Sequence, residues 1–304
     1  MLKKTTTLLM LLGIAFGLES FYKLPPPQKT LLRTIIIDPG HGGFDPGCHG
    51  LFSKEKNVAL GISLKLGKAL QEAFPGLKIV YTRTTDNMPG NKSNLQDGIR
   101  YRAELANKSN GDLFLCIHCN SDGHPPGSYP VRRLAGYKTT GKGKKKKKQP
   151  LYVTYWVKNT TTGTQTLIWK ADRSAPKGDA INQRKGGENM GDSDNSAFDM
   201  ATPEAMMRGQ LYEKKYFVNS ALFGTLVERE FVKAGRHSDG VRQRQVGIGV
   251  LQATGMPSVL IETGYLTNKD EELYLNSKRG QNEVVRNIVT AFRRYKSTIE
   301  RENK

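Results

Sequence analysis

Apolar and polar positions alternate along the chain in a pattern that predicts strands and helices in turn. Thr34 to Ile37 is a β-branched run that stops at Asp38-Pro39-Gly40, and the Gly-rich stretch through Gly50 then predicts a loop. From Glu55 to Leu70, the positions Val58, Ala59, Ile62, Leu66, Ala69 and Leu70 recur at helical spacing, with Gly61 and Gly67 as weak points. Lys78 to Thr82 reads as a second strand, Leu95 to Asn107 as a helix, and Asp112 to His118 as a buried strand. Strand, helix, strand, helix, strand implies parallel pairing. The expected fold class is therefore α/β, with a mostly parallel twisted sheet and helices on both faces.

Beyond residue 120 the pattern loosens. Leu151 to Val157 is strand-like, whereas Asn182 to Ser196 is rich in Gly, Asn, Asp and Ser and predicts a flexible loop. Helical spacing resumes near Pro203 and runs to about Val232, as one helix or two. Pro257 to Glu262 is a β-branched strand ending in a carboxylate, and Asn282 to Tyr295 is a closing amphipathic helix. These elements outline one catalytic domain over residues 33–297, with a long insertion at about 123–216 and a polar tail at 298–304.

The N-terminus has a different character. Lys3 and Lys4 precede an apolar run from Leu8 to Leu18, which is too short to cross roughly 30 Å of hydrocarbon. Residues 1–20 read as a secretory signal, or as an uncleaved N-terminal anchor, since no small-x-small cleavage site stands out. Residues 21–32 contain Pro25, Pro26 and Pro27 in a row and read as a spacer. The expected location is outside the cytoplasm, in the periplasm or cell envelope, with membrane contact only through that first segment.

Composition narrows the classes. The chain has 304 residues and 37% hydrophobic positions, which excludes a polytopic membrane protein, and three Cys cannot build a disulfide framework. The net charge of +19 points to an anionic partner. Seven of those charges are lysines between Lys138 and Lys148, where self-repulsion predicts a solvated, mobile loop; tethering to anionic envelope polymers is the alternative. Nucleic acid is not the expected partner, because no aromatic-plus-basic recognition motif is present and export removes the usual target.

Three predicted parallel strands lead into polar residues: Ile37 to His41, Ile117 to His118, and Ile261 to Glu262. Ligands of open parallel sheets gather at the carboxyl ends of strands, so these residues should share one edge, which Glu55 faces from the start of the first helix. Singly, each histidine is more often a turn or structural residue, and Glu55 a solvated first-turn residue. Glu262 is harder to dismiss, because a carboxylate ending an apolar strand needs a cation, a partner or a proton. Two His, a Glu and a further carboxylate are the inventory of a hydrolytic zinc site, in which three protein ligands leave the fourth position open.

The motifs carry a more specific signal. Ile35-Ile36-Ile37-Asp38-Pro39-Gly40-His41-Gly42-Gly43, Asp45-Pro46-Gly47, Glu55-Lys56-Asn57, Cys116-Ile117-His118-Cys119-Asn120 and Pro257 through Asn268 occur in this order. Together they resemble the zinc-dependent N-acetylmuramoyl-L-alanine amidases of the type 3 family. The resemblance implies cleavage of the amide between N-acetylmuramic acid and L-alanine in peptidoglycan, for wall remodelling or daughter-cell separation. It implies one zinc ion held by His41, Glu55 and His118, with Glu262 as general base. Cys116 and Cys119 stand where the family usually has small residues and read as packed thiols, with a zinc site that includes Cys as the minor alternative; Cys48 also lies in the first motif loop. Some relatives carry an insert whose helix covers the zinc until an activator protein withdraws it. Ala201 to Tyr216, with Glu204 and Glu213, could resemble that helix, although a plain surface insertion is the preferred reading. A zinc peptidase acting on stem-peptide bonds and a non-catalytic peptidoglycan-binding protein of the same fold are the alternatives.

Overall fold

The computed structural model describes residues 32–169, 203–244 and 247–302. The signal or anchor at 1–20, nearly all of the spacer and the predicted loop at 182–196 lie outside the described residues. Leu32, assigned to the spacer's end, is already buried in the core.

The elements in chain order are β1 (Thr34–Pro39), α1 (Glu55–Ala73), β2 (Lys78–Tyr81), α2 (Leu95–Lys108), β3 (Leu113–Asn120), β4 (Ser128–Thr140), β5 (Lys147–Lys158) and β6 (Thr164–Trp169). They continue with α3 (Pro203–Lys233), β7 (Ser238–Arg244), α4 (Gly249–Ala253), β8 (Ser258–Tyr265), α5 (Lys269–Asn276) and α6 (Lys278–Glu302). Six strands form one sheet in the order β2-β1-β3-β8-β6-β7. The first four are mutually parallel; β6 runs antiparallel to β8 and parallel to β7.

β1 and β8 are buried along their whole length, which is why they read as continuous β-branched runs rather than alternating ones. One face of the sheet, through Ile35, Ile37, Leu115 and Ile261, packs on α1, α3 and α6. The other, through Ile36, Phe114, Cys116 and Leu260, packs on α2 and α4. Helices thus cover both faces. α2 starts where the Asn94 side chain accepts from the Asp97 amide at 2.9 Å, satisfying one of the free amides of the first turn.

Two expectations about organisation change, and an open one takes a definite form. Residues 123–216 are not one surface excursion, because Thr164–Trp169 is an interior strand whose Thr164 and Thr166 hydroxyls donate to buried Glu228 at 2.7 and 2.6 Å. The helical stretch after Pro203 is a single helix of 31 residues. Gly224 does not break it but lets it lie close to β6, since a Cβ there would meet the Thr166 side chain at 2.9 Å. The polar tail is also helical: α6 continues through Glu302, and Ile299 is buried. Its stripe of Val284, Ile288, Phe292, Tyr295 and Ile299 stabilises by roughly 1.5–3 kcal/mol per side chain as an upper bound.

The lysine-rich stretch is not a free loop. It forms the tip of the antiparallel ribbon β4–β5, with Thr140 paired to Lys147. Its lysines are nevertheless exposed, as their charge requires.

Candidate metal centre

The loop from β1 to α1 brings His41 over the carboxyl end of the sheet. His41 has a left-handed backbone, φ 57°, which is uncommon for a side chain with a Cβ. Two buried arginines hold that conformation. Arg102 donates to the carbonyls of Pro39 at 2.8 Å and His41 at 2.6 Å, and it pairs with the buried Asp38 carboxylate, which also accepts from Thr82. Arg83 donates to the carbonyls of Pro39, Gly40 and Lys56 at 3.1, 2.7 and 2.8 Å. Further along, Glu272 accepts from the amides of Leu51, Phe52 and Ser53 at 2.8–3.0 Å, pinning the segment that delivers Glu55.

Glu55 opens α1 and is buried, with its carboxylate clamped from both sides. One oxygen accepts from the Cys48 amide at 2.8 Å and lies 3.1 Å from His41 Nε2. The other accepts from the Cys119 amide at 3.0 Å and lies 2.7 Å from His118 Nδ1. Gly40 and Gly47 make this convergence feasible, because a Cβ at either would stand 2.5–2.6 Å from the His118 ring or the Glu55 carboxylate. His41 Nδ1 faces Asp45 at 2.8 Å, leaving Nε2 directed at the centre. Glu262 is the register partner of His118 across β3 and β8, so the two side chains share one face.

Charge within the cluster follows from its geometry. Burial raises the Glu55 carboxyl, but bonds to His118 and His41 more than reverse this and hold it well below the usual range. Burial opposes protonation of His41, yet Glu55 and Asp45 lift it to about 9. Glu262 moves the other way: burial pushes it up to about 7, with Glu55 adding to the rise and the imidazoles opposing it. Its Oε2 has no hydrogen-bond partner among the described residues.

Among the described residues, the group suited to holding a metal ion is His41, Glu55 and His118, whose donor atoms all lie within 4.8 Å of one another. Two imidazoles and a fixed carboxylate fit a small divalent ion better than a hydrogen-bonding role, because they crowd three donors on one point. The thiols are outside this group. Cys116 is buried and donates to Asp38 at 3.0 Å, Cys48 points at the Cys119 carbonyl at 3.5 Å, and burial raises all three thiols, keeping them protonated.

All four residues singled out in the sequence are therefore at the carboxyl edge. Sequence reasoning missed Asp45, Arg83, Arg102 and Glu272. Asp45 was in view in the first motif; Arg102 could have been found as a cation on the apolar face of α2. The stretch that could resemble a covering helix, Ala201 to Tyr216, is described only from Pro203 onward. Ser220 of α3 accepts from the Ser258 amide at 2.9 Å, at the start of β8, whereas Glu262 lies towards its other end. Pro203 to Tyr216 thus flank the far edge.

The family model described as N-acetylmuramoyl-L-alanine amidase matches residues 35–294. The chain belongs to the type 3 amidase family. It is 27% identical over 265 residues to the N-acetylmuramoyl-L-alanine amidase AmiC of Escherichia coli, covering 86% of this chain and 52% of that protein. It is 30% identical over 251 residues to the probable amidase AmiB of Haemophilus influenzae, covering 81% and 48%. It spans about half the length of each of these relatives. The CwlD amidase of Clostridioides difficile, solved with the GerS lipoprotein, shares the fold with a TM-score of 0.55 at 20% identity, covering 88% of this chain and 99% of that one.

Asp45 bears on the candidate metal centre through the His41 ring, whose Nδ1 it faces at 2.8 Å. Partners of this kind fix the ring and its tautomer, and their loss typically lowers metal affinity about 10–100-fold. Asp45→Ala is expected to weaken divalent-metal binding by about that factor, read by competition with a chromophoric chelator; unchanged affinity would remove Asp45 from the orienting role.

Proposed function

We propose that this chain is a zinc amidase that cleaves the amide between N-acetylmuramic acid and the L-alanine of peptidoglycan stems. The observation that carries the proposal is the gathering of His41, Glu55 and His118 beside Glu262, whose buried Oε2 has no hydrogen-bond partner among the described residues, in a member of this family. His41, Glu55 and His118 would hold the ion, and zinc is favoured because it takes mixed nitrogen and oxygen donors and works with three protein ligands and an open position. When bound, it would polarise the scissile carbonyl and make water a stronger nucleophile at neutral pH.

The chain's own residues do the rest. The Cys48 and Cys119 amides keep the Glu55 carboxylate from rotating, and Asp45 keeps the His41 ring aimed inwards. Glu262 would accept the proton of the attacking water and return it to the departing alanine nitrogen, a task that suits a carboxyl with a value of about 7. The same reading places the protein in the cell envelope, with wall remodelling as its role.

Digestion of purified sacculi by the zinc-loaded protein tests the proposal. The expected products, by mass, are peptides with a free L-alanine amino terminus and glycan strands bare of peptide. Fragments cut inside the stem would assign the centre to peptidase chemistry instead.

A further inference from the structure

The ribbon β4–β5 stands apart from the six-stranded sheet, and among the described residues no other strand pairs with it. A two-stranded ribbon with nothing packed on it is marginally stable in water. Yet Leu151 to Lys158 are all exposed, with Trp156 at 71%, and Tyr137 on the facing strand is 64% exposed. Contiguous apolar and aromatic surface of this kind marks a contact site.

Pairing distributes it over both faces. Pro130 opposite Trp156 and Leu134 opposite Tyr152 lie on one face, and the Arg132 guanidinium sits over the Tyr152 ring at 4.9 Å. Val131 opposite Tyr155 lies on the other. The charge has one sign: from Ser128 to Lys158 there are ten Lys and Arg and no Asp or Glu.

The root is fastened to the catalytic edge. The Gly127 amide donates to the Thr267 carbonyl at 2.8 Å, just after β8, and Asn159 and Thr161 donate to Asp122 at 2.9 and 3.0 Å, just after β3. A ligand reaching along the ribbon is therefore continuous with the metal centre.

These features select among anionic partners. A lipid surface is flat and would cover one face, leaving the other aromatic face in water. A mesh of sugar strands carrying acidic peptides can engage both faces. Polarised C–H groups of sugar rings meet the negative faces of Tyr and Trp, and peptide carboxylates meet the lysines.

We propose that the ribbon Ser128–Lys158 is a second, non-catalytic binding arm for peptidoglycan, gripping glycan on its aromatic faces and stem carboxylates at its lysine tip. The substrate class rests on the amidase reading. Linking two contacts on one polymer converts the second into an intramolecular event, so losing the arm should weaken attachment without altering the chemistry.

The test uses the full chain. Pelleting with purified sacculi is done on a Glu262→Gln background, which stops turnover. Replacing Lys144 to Lys148 with Gln, or Tyr152 and Trp156 with Ala, is expected to raise the half-saturating concentration at least about 10-fold. The lysine variant should also flatten the salt dependence of binding. With Glu262 restored, both variants should hydrolyse a soluble muramoyl-peptide fragment at the parent rate, which also shows that they fold. Unchanged pelleting in both variants overturns the arm, as does a fall in soluble turnover. Tighter binding to phosphatidylglycerol vesicles than to sacculi, lost in the same variants, would replace it with a lipid-docking site. A parent that fails on the soluble fragment but pellets in a ribbon-dependent way would sink the amidase reading alone.

Discussion

Glu262→Gln is expected to lower sacculus hydrolysis by roughly 10²–10⁴-fold, the range for losing a positioned general base, while zinc content stays at the parent level. Gln keeps the size and the capacity to hydrogen-bond but cannot take a proton. Glu262 sits beside the metal group rather than within it, so metal analysis separates the two roles. Joint loss of zinc and activity would move Glu262 into the ligand set. A second readout comes from the metal-free chain. Burial raises this carboxyl to about 7, so stability linked to it is full below the unfolded value near 4.5 and is lost as pH rises through 7. Gln should abolish that portion of the pH slope, and urea titrations at pH 5 and pH 8 measure it.

Arg102→Met should destabilise the fold by about 3–5 kcal/mol, because it strands a buried carboxylate. Asp38 is 1% exposed and Arg102 5%, so water cannot replace the guanidinium. Met retains the aliphatic stem, which confines the loss to the charge and its bonds to the Pro39 and His41 carbonyls. The double variant Arg102→Met with Asp38→Asn should recover much of the stability, since the unpaired charge is gone, but not the zinc affinity, since the His41 backbone stays unsupported. Denaturant midpoints and zinc titration read the two effects separately. Equal midpoints for the single variant and the parent would show that Asp38 is not held as a charge.

The same buried pair explains what could be read from residue order. β1, β3 and β8 were legible because a strand covered on both faces must be apolar at every position, and the polar residues following Ile37, Ile117 and Ile261 stood out against that background. His41, His118 and Glu262 were legible for the same reason, whereas Glu55, which opens a helix, was marked as a ligand only by the family resemblance. β6 was not: Thr164, Gln165 and Thr166 look like loop until Glu228, 62 residues or more away, takes their hydroxyls. β7 is a polar edge strand, SDGVRQR, with no periodic signal. Ile299 was read as tail because the apolar stripe of α6 thins to one residue per turn there. Arg83 and Glu272 act on backbone groups from far along the chain, and nothing local announces such bonds.

The reversal of direction at β6 has a consequence for how this chain can change. β6 begins beside Glu262 and ends beside the start of β8, at the end of the sheet remote from the candidate ligands, and Ser220 of α3 also meets the start of β8. The ribbon, by contrast, leaves and returns next to the ligands. Changes at the root of the ribbon, about Asn120 to Gly127 and Asn159 to Thr164, are made beside the candidate ligands, whereas changes at its lysine tip lie a full strand's length away.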